Sequence, residues 1–166
     1  MCAKEADSAV GPIAKHLGEL LTQRGLTLAV AESCTGGLIS HSITNIPGAS
    51  NYFLMGVVAY SNEAKEKLLG VERPLLDNFG AVSRDVALAM ARGIRNTAHT
   101  DVGVGVTGIA GPQGGTPEKP VGLVFIAVVT AELERVERHI FAGDRSAIKR
   151  QAADAALALI LDVLHA

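Results

Sequence analysis

The 166-residue chain carries 15 Lys and Arg against 17 Asp and Glu, a formal net charge of −2. That near balance excludes the broad cationic face that nucleic-acid or anionic-membrane binding draws on. No apolar run approaches the roughly 20 residues that cross a bilayer, and the polar, acidic start over residues 1–8 lacks a signal-peptide layout.

The length suits one domain, expected over residues 1–166 with residues 1–8 flexible, and gives enough chain to bury a real core. Cys2 and Cys34 read as free thiols, which fits a reducing cytoplasm. His16, His41, His99, His139 and His165 are scattered without metal-ligand spacing, so neither a metal nor another cofactor is expected.

Val10, Ile13, Ala14, Leu17, Leu20 and Leu21 recur at helical spacing, and Gly25 is a stop signal. A short strand over residues 26–31 runs into Ser33-Cys34-Thr35-Gly36-Gly37, and a helix begins at Leu38. Strand, hydroxyl-rich turn, two glycines and helix form a tight connection. The glycines admit close backbone approach, and the first helical amides have no internal partners. The geometry offers Ser33 as a nucleophile beside an anion-stabilising rim. It equally fits a turn in which Ser33 or Thr35 simply caps a helix.

Residues 52–60 read as a second strand. Ser61 or Asn62 then caps a short helix closed by Gly70. Lys65 falls in its first turn, against the helix dipole. Such a conflict marks either a site or a solvated lysine. Residues 73–80 read as a loop, and Ser83 caps a helix through about Thr97. Val102, Val104 and Val106 alternate with Gly103 and Gly105, which predicts a central strand with an element packed closely on its glycine side.

Thr107 to Gly115 holds four glycines and Pro112 at a strand end. It lacks the Lys-Ser/Thr ending of a phosphate loop and does not open into a helix. It reads either as a binding loop or as a long surface connection. An apolar run over 121–130 predicts a strand buried on both faces, and residues 133–141 a half-exposed antiparallel partner. Asp144 caps the last helix. Arg145 opens that helix against its dipole, where a bound anion would compensate, while Lys149 and Arg150 read as surface charges. The whole pattern predicts a three-layer α/β/α sandwich with a mixed sheet.

Four segments then agree: Ala31 to Gly37; Tyr60-Ser61-Asn62 with Lys65 and Leu68 to Val71; Gly105 to Pro112; and Gly143-Asp144-Arg145. Together they resemble the CinA C-terminal domain family, whose characterised enzymes are nicotinamide mononucleotide amidohydrolases (the PncC type). The resemblance runs from about Ile13 to the last helix. Some members carry a further N-terminal domain that this sequence does not show, so it looks like a stand-alone form.

The resemblance implies hydrolysis of the carboxamide of nicotinamide mononucleotide to nicotinate mononucleotide and ammonia, in pyridine-nucleotide recycling. It implies Ser33 as nucleophile, Lys65 as its base, and Thr107 and Arg145 at the site. On that reading the amides of Thr35, Gly36 and Gly37 hold the oxyanion, Tyr60 and Asn62 line the nicotinamide or ribose pocket, and Arg145 with the Gly108–Gly115 loop, Gly111 included, meets the phosphate. The expected partners are this nucleotide and a second copy of the chain, as a homodimer or higher oligomer. Cys34 is the rival nucleophile. The alternatives are a catalytically silent nucleotide-binding module with a regulatory role, or an amidohydrolase of another small amide.

Overall fold

The computed structural model describes residues 10–166, the side chain of Val10 excepted. The expectation for residues 1–8, like Cys2, falls outside them. In chain order the elements are α1 (Val10–Arg24), β1 (Leu28–Glu32), α2 (Leu38–Thr44), β2 (Phe53–Val58), α3 (Asn62–Leu69), α4 (Arg73–Phe79), α5 (Arg84–Ala98), β3 (Val102–Gly108), β4 (Leu123–Val129), β5 (Glu134–Ile140) and α6 (Arg145–His165), with one 3₁₀ turn at Ala49–Asn51.

The five strands form one mixed sheet in the order β2-β1-β3-β4-β5. β1 lies parallel to β2 and β3, and β3, β4 and β5 continue as an antiparallel meander. Helices α1, α2 and α6 pack together on one face. Helices α3, α4 and α5 cover the other. The result is the expected three-layer sandwich.

The period of two along β1 explains the layering. Leu28 and Val30 enter the core under α1, α2 and α6, whereas Ala29 and Ala31 enter the core under α3 and α5. The valine–glycine alternation of β3 has the same cause. Val102, Val104 and Val106 fill the first core. On the glycine side α5 rests directly on the strand: a Cβ at Gly103 would collide with the Ala91 carbonyl, and one at Gly105 with the Ala87 carbonyl. The β4 run is buried along most of its length, and β5 is the half-exposed edge strand that pairs with it.

One expectation is corrected. Residues 73–80 are not a loop, because Arg73–Phe79 forms α4. Pro74 sits in its first turn, where a missing N–H costs nothing, and Leu76 is buried beneath it. A smaller adjustment moves Lys65 to the fourth residue of α3. Its own N–H bonds the Ser61 carbonyl, so its backbone lies past the open end of the helix. Ser61 caps that helix through the Ala64 amide, and Gly70 ends it in the left-handed region.

Five connections meet at the carboxyl ends of the parallel strands: β1–α2, β2–α3, α4–α5, β3–β4 and β5–α6. In open α/β sheets this end is where ligands bind. Among the described residues no helix is long and apolar enough to cross a membrane.

Candidate functional site

The β1–α2 turn separates the two layers residue by residue. Ser33 leaves the strand with its N–H donated to the Val106 carbonyl at 3.0 Å. Its side chain keeps the direction of Ala29 and Ala31, towards α3. Cys34 keeps the direction of Val30 and joins the core on the other face. Ser33 and Cys34 are thus adjacent in sequence and face different chemistry.

On the α3 side, Lys65 is 1% exposed, among the most enclosed large side chains of the protein. Its Nζ lies 3.2 Å from Ser33 Oγ and donates to the carbonyls of Ala59 at 2.9 Å and Tyr60 at 3.3 Å. No carboxylate pairs with it; the ion pairs of the described residues all lie elsewhere. Burial therefore dominates and pushes the amine below the ordinary lysine value of 10.5, with the neighbouring Cys34 acting weakly the other way. A neutral lysine keeps two N–H groups on the two carbonyls. Its lone pair is then left for the Ser33 hydroxyl proton. That is the arrangement of a nucleophile with its general base.

The helix end next to this pair is occupied from within. Glu32, the last residue of β1, is fully buried. Its carboxylate accepts from the amides of Gly37 (2.9 Å), Ile39 (3.2 Å) and Ser40 (2.9 Å) and from the Ser40 hydroxyl (2.7 Å). Neither Ser33 nor Thr35 caps α2, so the simple capping alternative falls. Two amides of the expected rim are also engaged: Gly37 donates to Glu32 and Gly36 donates to the Ser33 carbonyl at 3.1 Å. Among the described residues the amides of Cys34 and Thr35 donate to no other residue's backbone. In a strand–turn–helix nucleophile the amide of the following residue is the usual oxyanion donor.

Cys34 is 5% exposed, and burial pushes its thiol up to about 11. A thiol held that far above neutrality presents almost no thiolate, which is the reactive form. Thr35 is wholly enclosed, and its hydroxyl has no partner among the described residues.

The outer wall is tied by two cations. Arg145, at the start of α6, donates to the Gly111 carbonyl at 2.8 Å and to the Tyr60 hydroxyl at 2.9 Å. It thereby links the β3–β4 loop and the β2–α3 connection to α6. Lys119 donates to the carbonyls of Phe79 and Val82 and straps the far end of the glycine-rich loop onto the α4–α5 connection. Thr107 is buried, and its hydroxyl donates to the Ala81 carbonyl at 2.8 Å, which leaves only its lone pairs for anything else. Asn62 is exposed at the start of α3.

The same end of the sheet carries all four sequence segments that pointed to a family, and comparison with known proteins decides the matter. The CinA C-terminal domain model matches residues 11–164. A putative competence-damage inducible protein from Moorella thermoacetica is 56% identical over 149 residues, covering 90% of this chain and 36% of that protein. The chain belongs to the CinA C-terminal domain family.

A CinA-like protein from Syntrophotalea carbinolica is 53% identical over 145 residues, covering 87% of this chain and 35% of that protein. The chain spans about a third of the length of these curated relatives. Among solved structures, the competence/damage inducible protein of Agrobacterium tumefaciens superposes with a TM-score of 0.93 at 38% identity, covering all of both chains. A CinA superfamily protein from Klebsiella pneumoniae superposes at 0.91 with 31% identity, over 94% of this chain and 98% of that one.

Within this CinA domain the geometry accounts for several motif residues that the sequence left undivided. Gly108 is a packing glycine: a Cβ there would come within 2.7 Å of the Leu123 carbonyl and 3.0 Å of Cys34 Sγ. Gly111 has φ +75°, and a Cβ would strike Val121. Two side chains escaped the sequence reading. Glu32 was signalled by a lone charge ending a fully apolar, buried strand. Lys149 was read as a surface charge, yet it is half-buried with Nζ beside Gly36. Its signal was helical spacing: Lys149 precedes the buried Ala152 and Ala156 by three and seven residues, at the edge of the stripe that α6 buries.

Proposed function

We propose that this domain hydrolyses the carboxamide of nicotinamide mononucleotide to nicotinate mononucleotide and ammonia, with Ser33 as nucleophile and Lys65 as its general base. The observation that carries the reading is the buried, unpaired Lys65 amine 3.2 Å from Ser33 Oγ. An amide is a poor electrophile, so a serine needs a base that is neutral near physiological pH, and a lysine whose pKa burial has lowered meets that need. The raised thiol of Cys34 weighs against the rival nucleophile. The choice of a nicotinamide nucleotide rests on the family resemblance of the four motifs.

In the proposed cycle neutral Lys65 takes the Ser33 proton as Oγ bonds the carboxamide carbon. The charge that develops on the carbonyl oxygen is met by the amides of Cys34 and Thr35. Lys65 returns its proton to the amide nitrogen, the C–N bond breaks, and ammonia leaves. Lys65 then deprotonates a water that attacks the Ser33 ester, and as the C–Oγ bond breaks Lys65 returns that proton to Oγ, giving the acid, the serine hydroxyl and the neutral amine. Tyr60, Arg145 and the Gly108–Gly115 loop form the wall over which the remainder of the nucleotide lies, with Asn62 at its outer edge. Thr107 fixes the α4–α5 connection behind it.

The test is ammonia release by the purified protein from nicotinamide mononucleotide, nicotinamide riboside, nicotinamide and an unrelated primary amide such as glutamine. Preferred turnover of the mononucleotide is the expected result. Turnover of another amide alone would keep the dyad and change the substrate. Turnover of none, with the nucleotide still bound, would favour a silent nucleotide-binding module.

A further inference from the structure

The turn and α6 hold a cation with nothing on it. Lys149 is half-buried at the edge of the buried stripe of α6, one helical turn after Arg145. Its Nζ would sit 3.3 Å from a Cβ placed on Gly36, and its charge is felt at Cys34. Among the described residues it forms no hydrogen bond and no ion pair. Its neighbour on the helix, Ile148, is buried, and so are Ala152 and Ala156 one and two turns on. Drawing an ammonium partly out of water beside apolar residues costs free energy unless an anion answers it.

The protein does not supply that anion. The buried carboxylate of the same turn, Glu32, has its acceptors committed to three amides and a hydroxyl. The α2 amides that could otherwise receive an anionic ligand are taken by the same carboxylate. Arg145 has spent two of its five N–H donors on Gly111 and Tyr60 and keeps three. Next to Gly36, the Thr35 hydroxyl is buried without a partner. Arg145 and Lys149, one turn apart on α6, stand at this end of the sheet without a carboxylate partner among the described residues.

We propose that Lys149, together with Arg145, binds the phosphate monoester of the substrate, and that Lys149 is a specificity-determining residue for phosphorylated over unphosphorylated amides. This rests on the reading of the site given above. Ser33 and Lys65 work on the carboxamide, and the two α6 cations anchor the dianion. Gly36 belongs to the same device: its φ of +62° favours glycine, and a Cβ there would lie 3.3 Å from the Lys149 head group.

The experiment measures binding of nicotinate mononucleotide and of inorganic phosphate by calorimetry to the wild type, Lys149→Ala and Lys149→Arg, with nicotinamide riboside as the phosphate-free control. Removing a charge-assisted contact to phosphate should weaken mononucleotide binding by about 10-fold or more. Lys149→Arg should restore most of it, and riboside binding should not change. In turnover, the loss in Lys149→Ala should sit in KM rather than kcat. Equal losses for the mononucleotide and the riboside would make Lys149 merely structural and overturn the proposal. So would unchanged mononucleotide binding, or no binding of either phosphate ligand by the wild type. If the wild type binds these ligands through Lys149 but releases no ammonia from nicotinamide mononucleotide, the amidase reading fails and this one stands.

Discussion

The two faces of the β1–α2 turn hold two lysines with opposite electrostatics. Lys65 is enclosed, bonded to two carbonyls and a hydroxyl, and driven towards its neutral form. Lys149 is half-buried beside Gly36, with no hydrogen-bond or ion-pair partner among the described residues. On the readings proposed above, the same side-chain type serves as a base where burial excludes water and as an anion receptor where it stays half-exposed, because desolvation acts on the charged form alone. Alternation along one strand creates the difference: Ser33 turns to α3, whereas Glu32 and Cys34 turn to α2 and α6.

The sharpest way to break this comparison is to remove the working pair. Ser33→Ala should lower the rate of ammonia release by roughly 10⁴-fold, and the Ser33→Ala/Lys65→Ala double variant should lose little more, since the two act as a unit. A multiplicative double loss in steady-state kinetics would separate the two residues.

The pH dependence of stability sharpens the same point. Because the folded pKa of Lys65 lies below its unfolded value near 10.5, unfolding takes up a proton between the two values. Burial of Lys65 thus costs stability most below its folded pKa, and the cost disappears as pH rises towards 10.5. Lys65→Met should therefore gain stability relative to the wild type as pH falls from 10 to 7, followed by urea unfolding at each pH. A constant difference would mean that Lys65 keeps its charge on folding.

On the opposite face, Glu32→Gln keeps one acceptor but turns an NH₂ towards amide donors. It should cost about 1–3 kcal/mol, the usual range for a stranded buried polar group, read as a lower urea midpoint at unchanged slope. A neutral effect would show that α2 does not depend on this carboxylate. The smallest effect is expected at Cys34. Cys34→Ala should keep turnover within about threefold while costing ~1 kcal/mol of packing, the low end for a small core truncation. Loss of activity in a folded Cys34→Ala protein would return the thiol to consideration.

Much of this was legible in the sequence, for physical reasons that also explain what was not. The valine–glycine alternation of residues 102–106 announced a central strand with an element packed closely on its glycine side, because alternate residues face opposite sides of a sheet; that element is α5. Asp144, Ser61 and Ser83 announced helix starts through hydroxyl and carboxylate caps, and each makes its cap bond. Helix α4 escaped because seven residues holding Pro, Asp and Asn, with Gly after them, carry the signals of a turn as strongly as those of two helical turns. The roles of Glu32 and Lys149 escaped because they are tertiary. Nothing local says that a strand-end carboxylate will reach three amides of the next helix, or that a lysine head will settle over a glycine more than 100 residues earlier.

The most direct test of the central claim is the fate of the acyl group on Ser33 in the presence of hydroxylamine. An ester at Ser33 should partition between water and hydroxylamine, so the wild type should form the hydroxamate of nicotinate mononucleotide together with the acid, and Ser33→Ala should form neither. Ammonia release without hydroxamate in the wild type, or continued release by Ser33→Ala, would contradict the account.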